Sequence, residues 1–208
     1  MAQQKTNTRN TVLILMIAGA IIIRFVTYYL SSFVTYSNSS VNNIVHWSNF
    51  TPLGAIALFG GTYFNDKWKG YLVPLFSLLI SDIVINYMYS SRLTIDFFSW
   101  LSLLRYLSIA LTVFMGTRIK NVSFLNVGAA SILSVVVFWL LTDLPFLYPG
   151  IYSNTVLGYG QSLMAALPFQ KNMLLGDALF GVLLFGGFEL AKNKYTVLRS
   201  TTTHSLAV

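Results

Sequence analysis

The sequence contains no cysteine and few charged residues. Because none of the 208 residues is Cys, disulfides, thiolate nucleophiles and cysteine-ligated metal sites are excluded. Charged residues make up only 9% of the chain, which is too little to cover the surface of a soluble domain of this length, whereas 55% of the residues are apolar. This composition predicts an integral membrane protein that lies in a lipid bilayer.

The sequence also lacks the common short motifs of enzymes. It contains no H-E-x-x-H zinc motif, no G-x-S-x-G nucleophile elbow and no glycine-rich phosphate loop. The segment "LLGD" at 174–177 matches the G-x-G-D pattern of intramembrane aspartyl proteases only weakly, because leucine replaces the first glycine. We therefore expect no enzymatic activity and no cofactor.

The basic residues point to membrane topology rather than to nucleic acid. The net charge is +7, but Lys and Arg occur in ones and twos between long apolar segments instead of in one patch. The apolar windows predict an all-α fold with six transmembrane helices in one bundle, at about residues 11–33, 50–65, 70–89, 97–116, 123–141 and 171–191.

Alternate connections between these windows carry the basic residues. They are Lys5 and Arg9, Lys67 and Lys69, Arg118 and Lys120, and finally Lys192, Lys194 and Arg199. The positive-inside rule then places both termini in the cytoplasm of a multi-pass inner-membrane protein. The expected organisation is a tail at 1–10, a six-helix domain at 11–191 and a second tail at 192–208.

Two long connections fall on the outer side, at residues 34–49 and 142–170. Long connections in compact proteins are often lids or binding loops. The segment "SLMAAL" within the second one predicts a short helix at the outer interface that ends at Pro168. We expect both connections to cover a cavity.

Four ionisable residues lie well inside the predicted helices: Arg24, Asp82, Arg105 and Asp177. Each costs about 2.5 to 3.5 kcal/mol at a helix centre, so these side chains should face the protein interior and pair or meet water. Their depths place all four in the outer half of the bilayer. They predict either a polar pocket open to the outer side or two buried salt bridges that only fix helix packing.

Further candidate ligand-binding residues lie on the outer connections. Asp143 either caps its loop or lines the cavity. The aromatic candidates are Trp47, Tyr148, Tyr152 and Tyr159, although interfacial anchoring also explains them. His46 is a weak metal candidate, and no other metal site is expected. Arginines in such a pocket suit a carboxylate or phosphate, and aspartates suit an amine or amide.

The second window, "NFTPLGAIALFGGTYF" at 49–64, is short for a transmembrane helix. Its apolar part covers only about 22 Å of a ~30 Å hydrocarbon core. Thr51 and Pro52 predict an abrupt helix start below the outer surface, with the positive end of the helix dipole directed into the cavity. Gly60 and Gly61 predict close helix packing nearer the inner side.

Several stretches carry a resemblance to known proteins: "NFTPLGAIALFGG", "YLVPLFSLLISDIVI", "FWLLTDLPFLYP" and "AALPFQKNMLLGDALFGVLLFGG". They resemble a bacterial family of uncharacterised integral membrane proteins over most of residues 48–188. Size, helix number and topology are also similar to the S components of energy-coupling-factor (ECF) vitamin transporters, with the vitamin B12 type nearest. That resemblance implies an S-component-like bundle, a vitamin-like substrate such as a corrinoid, and a transmembrane coupling protein and ATPases as partners.

Two functional hypotheses follow. The first is a substrate-binding or transport protein that captures a small molecule from the outer side of the membrane. The second is a structural or assembly protein that transports nothing, in which the buried charges only form ion pairs.

Overall fold

The computed structural model describes residues 8–19, 21–23, 25–26, 50–89 and 98–199. These residues are almost entirely helical, and no strand occurs among them. Helix α1 comprises residues 8–19 and 21–23. The other helices are α2 (Leu53–Tyr63), α3 (Lys67–Tyr89), α4 (Trp100–Arg118), α5 (Phe124–Thr142), α6 (Val156–Gly181) and α7 (Gly187–Lys194). A π-helical segment, Val182–Gly186, joins α6 to α7, and short 3-10 turns occupy Pro145–Leu147 and Thr196–Leu198.

The described helices are consistent with a membrane protein. Three of them are long and apolar enough to cross a bilayer: α4, α5 and the continuous 39-residue helix Val156–Lys194. Helix α2 is apolar but shorter. The all-α fold class is thereby confirmed, whereas six membrane crossings stay a prediction.

Hydroxyl side chains explain where three of the long helices begin. The Oγ of Ser99 accepts a hydrogen bond from the N–H of Ser102 at the start of α4, and Ser123 does the same for Asn126 in α5. Thr155 accepts from the N–H of Gly158 at the start of α6. Each cap satisfies one of the backbone donors that a helix start leaves without a partner.

Helix α2 forms the centre of the bundle. It packs against α3, α4, α5 and α6, and all its residues except Thr62 are buried. Its Phe59 ring makes edge-to-face contacts with Phe185 and Phe188, at centroid distances of 5.4 and 5.7 Å. A helix that is apolar on every side belongs in such an interior position, which accounts for its composition.

Glycines allow α2 to approach its neighbours closely. A Cβ atom on Gly61 would overlap the carbonyl oxygen of Val113 on α4, and one on Gly116 would overlap the carbonyl oxygen of Leu58 on α2. A Cβ on Gly60 would lie 3.2 Å from the carbonyl oxygen of Gly70 on α3. The predicted close packing at Gly60 and Gly61 is confirmed.

The outer connection predicted at 142–170 is wrong in its second half. Helix α6 starts at Val156, includes the "SLMAAL" segment and continues through Pro168 instead of ending there. Proline removes one N–H from the helix ladder. Just before the proline, the indole Nε1 of Trp139 on α5 donates a hydrogen bond to the carbonyl oxygen of Leu163, at 3.1 Å, which holds α6 against α5. The true connection between α5 and α6 is residues 143–155.

Candidate functional site

A cavity of about 400 Å³ lies between α4, α5, α6 and the 143–155 connection. Its polar lining residues are Arg105, Thr142, Asp143, Ser162 and Gln170. Its apolar and aromatic lining residues are Leu101, Phe138, Tyr148, Ile151, Tyr152, Ala165, Ala166 and Phe169. A mostly apolar wall with a few polar groups, at this volume, is typical of small-molecule sites.

One face of α6 forms the longest wall of the cavity. Ser162 is followed by Ala165, Ala166, Phe169 and Gln170, which is the i, i+3, i+4, i+7, i+8 spacing of a single helix face. Two alanines in the middle of this face leave open volume, while Ser162 and Gln170 place polar groups at either end of it. The wall exists only because α6 continues through Pro168.

The 143–155 connection provides an aromatic wall. The hydroxyl of Tyr148 donates a hydrogen bond to the carbonyl oxygen of Thr142 at 2.9 Å, which fixes the connection to the end of α5. The rings of Tyr148 and Tyr152 meet edge to face at a centroid distance of 6.1 Å. Both tyrosines line the cavity, where the sequence predicts them.

Asp143, the C-cap residue of α5, has few hydrogen-bond donors around it. The amide Nε2 of Gln170 donates to its Oδ2 at 3.4 Å, and the Thr142 hydroxyl also lies 3.4 Å from that atom. The single Thr142 proton has a better acceptor, however, in the carbonyl oxygen of Phe138 at 2.9 Å. Burial raises the pKa of Asp143 to about 6, and the hydrogen bonds from Thr142 and Gln170 only partly oppose this shift.

Gln170 lines the cavity and also carries a buried acceptor atom. Its side chain is 7% exposed, and its Oε1 receives no hydrogen bond from any residue in the described ranges. The carboxylate of Asp143 fixes the orientation of this amide, because only the NH₂ group can face an acceptor. Oε1 therefore lies on the opposite side of the amide from Asp143.

Arg105 lines the cavity but already has a charged partner. Its Nη2 lies 2.6 Å from Oδ2 of Asp82 on α3, and the Asp82 side chain is only 2% exposed. The hydroxyl of Tyr106 also donates to that carboxylate, at 3.3 Å. Asp82 does not line the cavity. This pair matches the salt-bridge alternative for two of the four ionisable residues.

Asp177 has a different role from the predicted one. Its Oδ1 accepts a hydrogen bond from the N–H of Ala55 at 3.0 Å, so the carboxylate caps the first turn of α2. The helix starts at Leu53 with Pro52 as its N-cap and no cap from its own side chains, and Thr51 lies one residue farther out. The predicted dipole directed into a cavity is therefore wrong, because the α2 N-terminus meets Asp177, which is not a cavity residue.

The remaining predicted residues lie away from this cavity or outside the described ranges. Tyr159 lies on α6 rather than in a loop, and its hydroxyl donates to the carbonyl oxygen of Leu140 at 2.7 Å. Arg24, His46 and Trp47, together with the connection at 34–49, lie outside the described residues. Within the described part of the chain, no three His, Cys, Asp or Glu residues are grouped to hold a metal ion.

Thr142, Ser162 and Gln170 are the polar cavity residues that the sequence prediction missed. All three lie in the segment predicted as the connection 142–170. The helical spacing of Ser162, Ala166 and Gln170 is present in the sequence and would have placed them on one face. The prediction instead followed Pro168, which indicates the end of a helix.

Comparison with known proteins identifies the family of the chain but not an activity. The model of a family of unknown function (DUF6580) matches residues 4–200, so the chain belongs to that family. No curated protein and no solved structure matches the chain.

Proposed function

We propose that this DUF6580 protein is a membrane-embedded binding or transport protein that takes up a small molecule in the cavity between α4, α5 and α6. The observation that carries the proposal is the cavity itself, about 400 Å³ in volume and lined by Asp143, which forms no ion pair with a described residue. Partly buried charged groups normally have partners, so such a group beside a cavity favours a ligand that supplies one.

The proposed topology has six spans, both termini in the cytoplasm of a bacterial inner membrane, and the cavity on the outer side. The distribution of charge along α4 supports this orientation. Leu101 and Arg105, near the start of α4, line the cavity, while Arg118 ends the helix and Lys120 follows it. Basic residues thus lie at the end opposite the cavity, where the positive-inside rule expects the cytoplasm.

The volume narrows the range of substrates. A vitamin-like ligand smaller than a corrinoid suits a cavity of about 400 Å³. An energy-coupling module with ATPases stays a prediction from the resemblance to S components. Co-purification of the tagged protein from its native membrane tests for that partner.

A thermal-unfolding screen tests the proposed binding. The purified full-length protein is heated with a panel of amines, amino acids, organic acids, phosphate esters and vitamins. A ligand that binds only the folded state raises the unfolding temperature in a concentration-dependent way. We expect at least one compound to do so. If none stabilises the protein, the proposal is wrong.

A pair of matched variants assigns the effect to the cavity. Ala165→Phe fills part of the cavity, whereas Ala129→Phe changes an exposed alanine of α5 that does not line it. The first variant should lose the ligand-dependent stabilisation, and the second should keep it. An unchanged response in Ala165→Phe would contradict a site in this cavity.

The structural hypothesis remains the second candidate. It is favoured by the fact that Asp82 and Asp177 find their partners inside the protein, in Arg105 and in the N–H of Ala55. It predicts no stabilising compound in the screen and a protein partner that co-purifies in stoichiometric amount.

A further inference from the structure

We infer that the ligand of this cavity carries a protonated amine, which donates hydrogen bonds to the Asp143 carboxylate. This inference rests on the proposed function and specifies the chemical class of the ligand. It is carried by the charge of Asp143, by its unused acceptor oxygen and by the aromatic wall.

Among the residues that the structure describes, Asp143 is the cavity side chain whose charge lacks a partner. Arg105 and Asp143 are the charged side chains of these ranges that line the cavity. The guanidinium of Arg105 is compensated by Asp82 at 2.6 Å. Asp143 forms no ion pair with any residue of the described part of the chain. A positively charged ligand would supply the missing partner for this carboxylate.

The available hydrogen-bonding atom at the cavity is an acceptor. Oδ1 of Asp143 receives no hydrogen bond from the described residues, and the amide that donates to its Oδ2 is 3.4 Å away. A primary ammonium group carries three N–H donors and no acceptor. It therefore matches this carboxylate.

The aromatic wall suits the same ligand. Phe138, Tyr148, Tyr152 and Phe169 line the cavity together with Asp143. The faces of aromatic rings attract cations, and the rings also cover the apolar body of a ligand. Ala165 and Ala166 leave room for that body against α6.

An anionic ligand fits the cavity less well. Its carboxylate or phosphate would compete with Asp82 for Arg105, and the Asp82–Arg105 contact is already short at 2.6 Å. It would also share the cavity with the Asp143 carboxylate, which repels it. Both effects oppose an acid and favour an amine.

Three small probes of similar size separate these classes. 2-Phenylethylamine is a cation, 2-phenylethanol is its neutral counterpart, and phenylacetate is an anion. Dissociation constants are measured by calorimetry on the full-length protein at pH 7.5. We expect the amine to bind about tenfold or more tightly than the alcohol, because hydrogen bonds to charged groups are stronger than neutral ones. Equal binding of amine and alcohol, or tighter binding of phenylacetate, would overturn the inference.

Substitutions then identify the acceptor. Asp143→Asn keeps the shape of the side chain and removes its charge, and it should weaken amine binding about tenfold while leaving the alcohol nearly unchanged. Asp66→Asn is the matched control, because Asp66 lies on an exposed turn outside the cavity and pairs with Lys69. It should leave the affinity unchanged.

The outcomes separate this inference from the proposed function. If phenylacetate or the alcohol binds as tightly as the amine and Ala165→Phe abolishes that binding, the cavity site stands and the amine class falls. If Asp143→Asn binds the amine like the wild type, the assigned acceptor is wrong. If no probe and no compound of the screen binds, both proposals fail.

Discussion

The carboxylate of Asp177 on α6 accepts a hydrogen bond from the backbone N–H of Ala55 on α2, at 3.0 Å. One helix thus supplies the N-terminal cap of another, deep inside the bundle, where Asp177 is only 1% exposed. Gly54 makes this contact possible, since a Cβ at that position would overlap the carboxylate. The short helix α2 begins inside the protein, where α6 provides a side-chain acceptor for its first turn.

Removing this cap should destabilise the protein without changing ligand binding. Asp177→Ala leaves the buried N–H of Ala55 without a partner, and we expect a loss of about 2–3 kcal/mol in the free energy of unfolding. Asp177→Asn keeps one acceptor and should lose about half as much. Denaturant unfolding measures both changes.

The control for this prediction is amine affinity. Because Asp177 does not line the cavity, Asp177→Asn should bind 2-phenylethylamine within about twofold of the wild type. The capping role would be contradicted if Asp177→Ala were as stable as the wild type. It would also be contradicted if Asp177→Asn lost much of its affinity for 2-phenylethylamine.

The Asp82–Arg105 pair predicts a strong asymmetry between single and double substitutions. Arg105→Met removes the guanidinium that lies 2.6 Å from the buried Asp82 carboxylate and should cost about 3–5 kcal/mol of stability. Combining it with Asp82→Asn removes that charge and should recover most of the loss. The exposed pair of Lys69 and Asp66 is the control, because Lys69→Met should cost at most about 1 kcal/mol. Failure of the double variant to recover stability would show that the pair does not act as a unit.

Asp143 predicts a specific dependence of stability on pH. The pKa of Asp143 is raised from 3.8 to about 6 in the folded protein, so the folded state binds this proton more tightly than the unfolded chain does. The contribution of Asp143 to the free energy of unfolding therefore falls as pH rises from about 4 to 6, and it is constant above that. Arg105, Tyr148 and Tyr152 also line the cavity. Burial raises the pKa of Tyr148 to about 12, far above this window.

Asp143→Asn has no carboxyl group at this position, so its stability should not fall in this way. The unfolding temperature of Asp143→Asn minus that of the wild type should increase by about 2–4 °C between pH 4 and 6, which corresponds to roughly 1 kcal/mol for a partly exposed group. Melting curves of both proteins between pH 4 and 8 measure the difference. A difference that does not vary with pH would contradict a buried, weakly solvated carboxylate at Asp143.

The absence of cysteine makes the topology directly measurable, because any introduced thiol is unique. Asn154→Cys lies on the connection that borders the cavity, and Asn121→Cys lies between α4 and α5. In intact cells a membrane-impermeant maleimide should label position 154, whereas position 121 should react only after permeabilisation. The reverse pattern would place the cavity on the cytoplasmic side.

Several of the residues that line the cavity were predicted from the sequence, because charge, depth in the helix and position on a connection all indicated the same end of the bundle. Arg105, Asp143, Tyr148 and Tyr152 are at the same predicted end of the bundle, and all four line one cavity. Charge pairing was less predictable. Nothing in the sequence states that Asp82 faces Arg105, or that Asp177 meets α2.

The contact between Asp177 and α2 forms where α6 crosses the start of α2. This crossing depends on a glycine. A Cβ on Gly176 would lie 2.8 Å from the carbonyl oxygen of Thr51, so only glycine permits this approach without a shift. The α6 wall was missed for a different reason. Pro168 predicts the end of a helix. The packing of α6 against α5, with which the helix continues past the proline, cannot be seen in the sequence.

The most direct test of the central claim is an experimental structure of the full-length protein with saturating 2-phenylethylamine. The account predicts density for the amine in the cavity between α4, α5 and α6, with its nitrogen within about 3.2 Å of an Asp143 carboxylate oxygen. A cavity that stays empty of the amine at saturation, or an amine bound elsewhere on the protein, would contradict it.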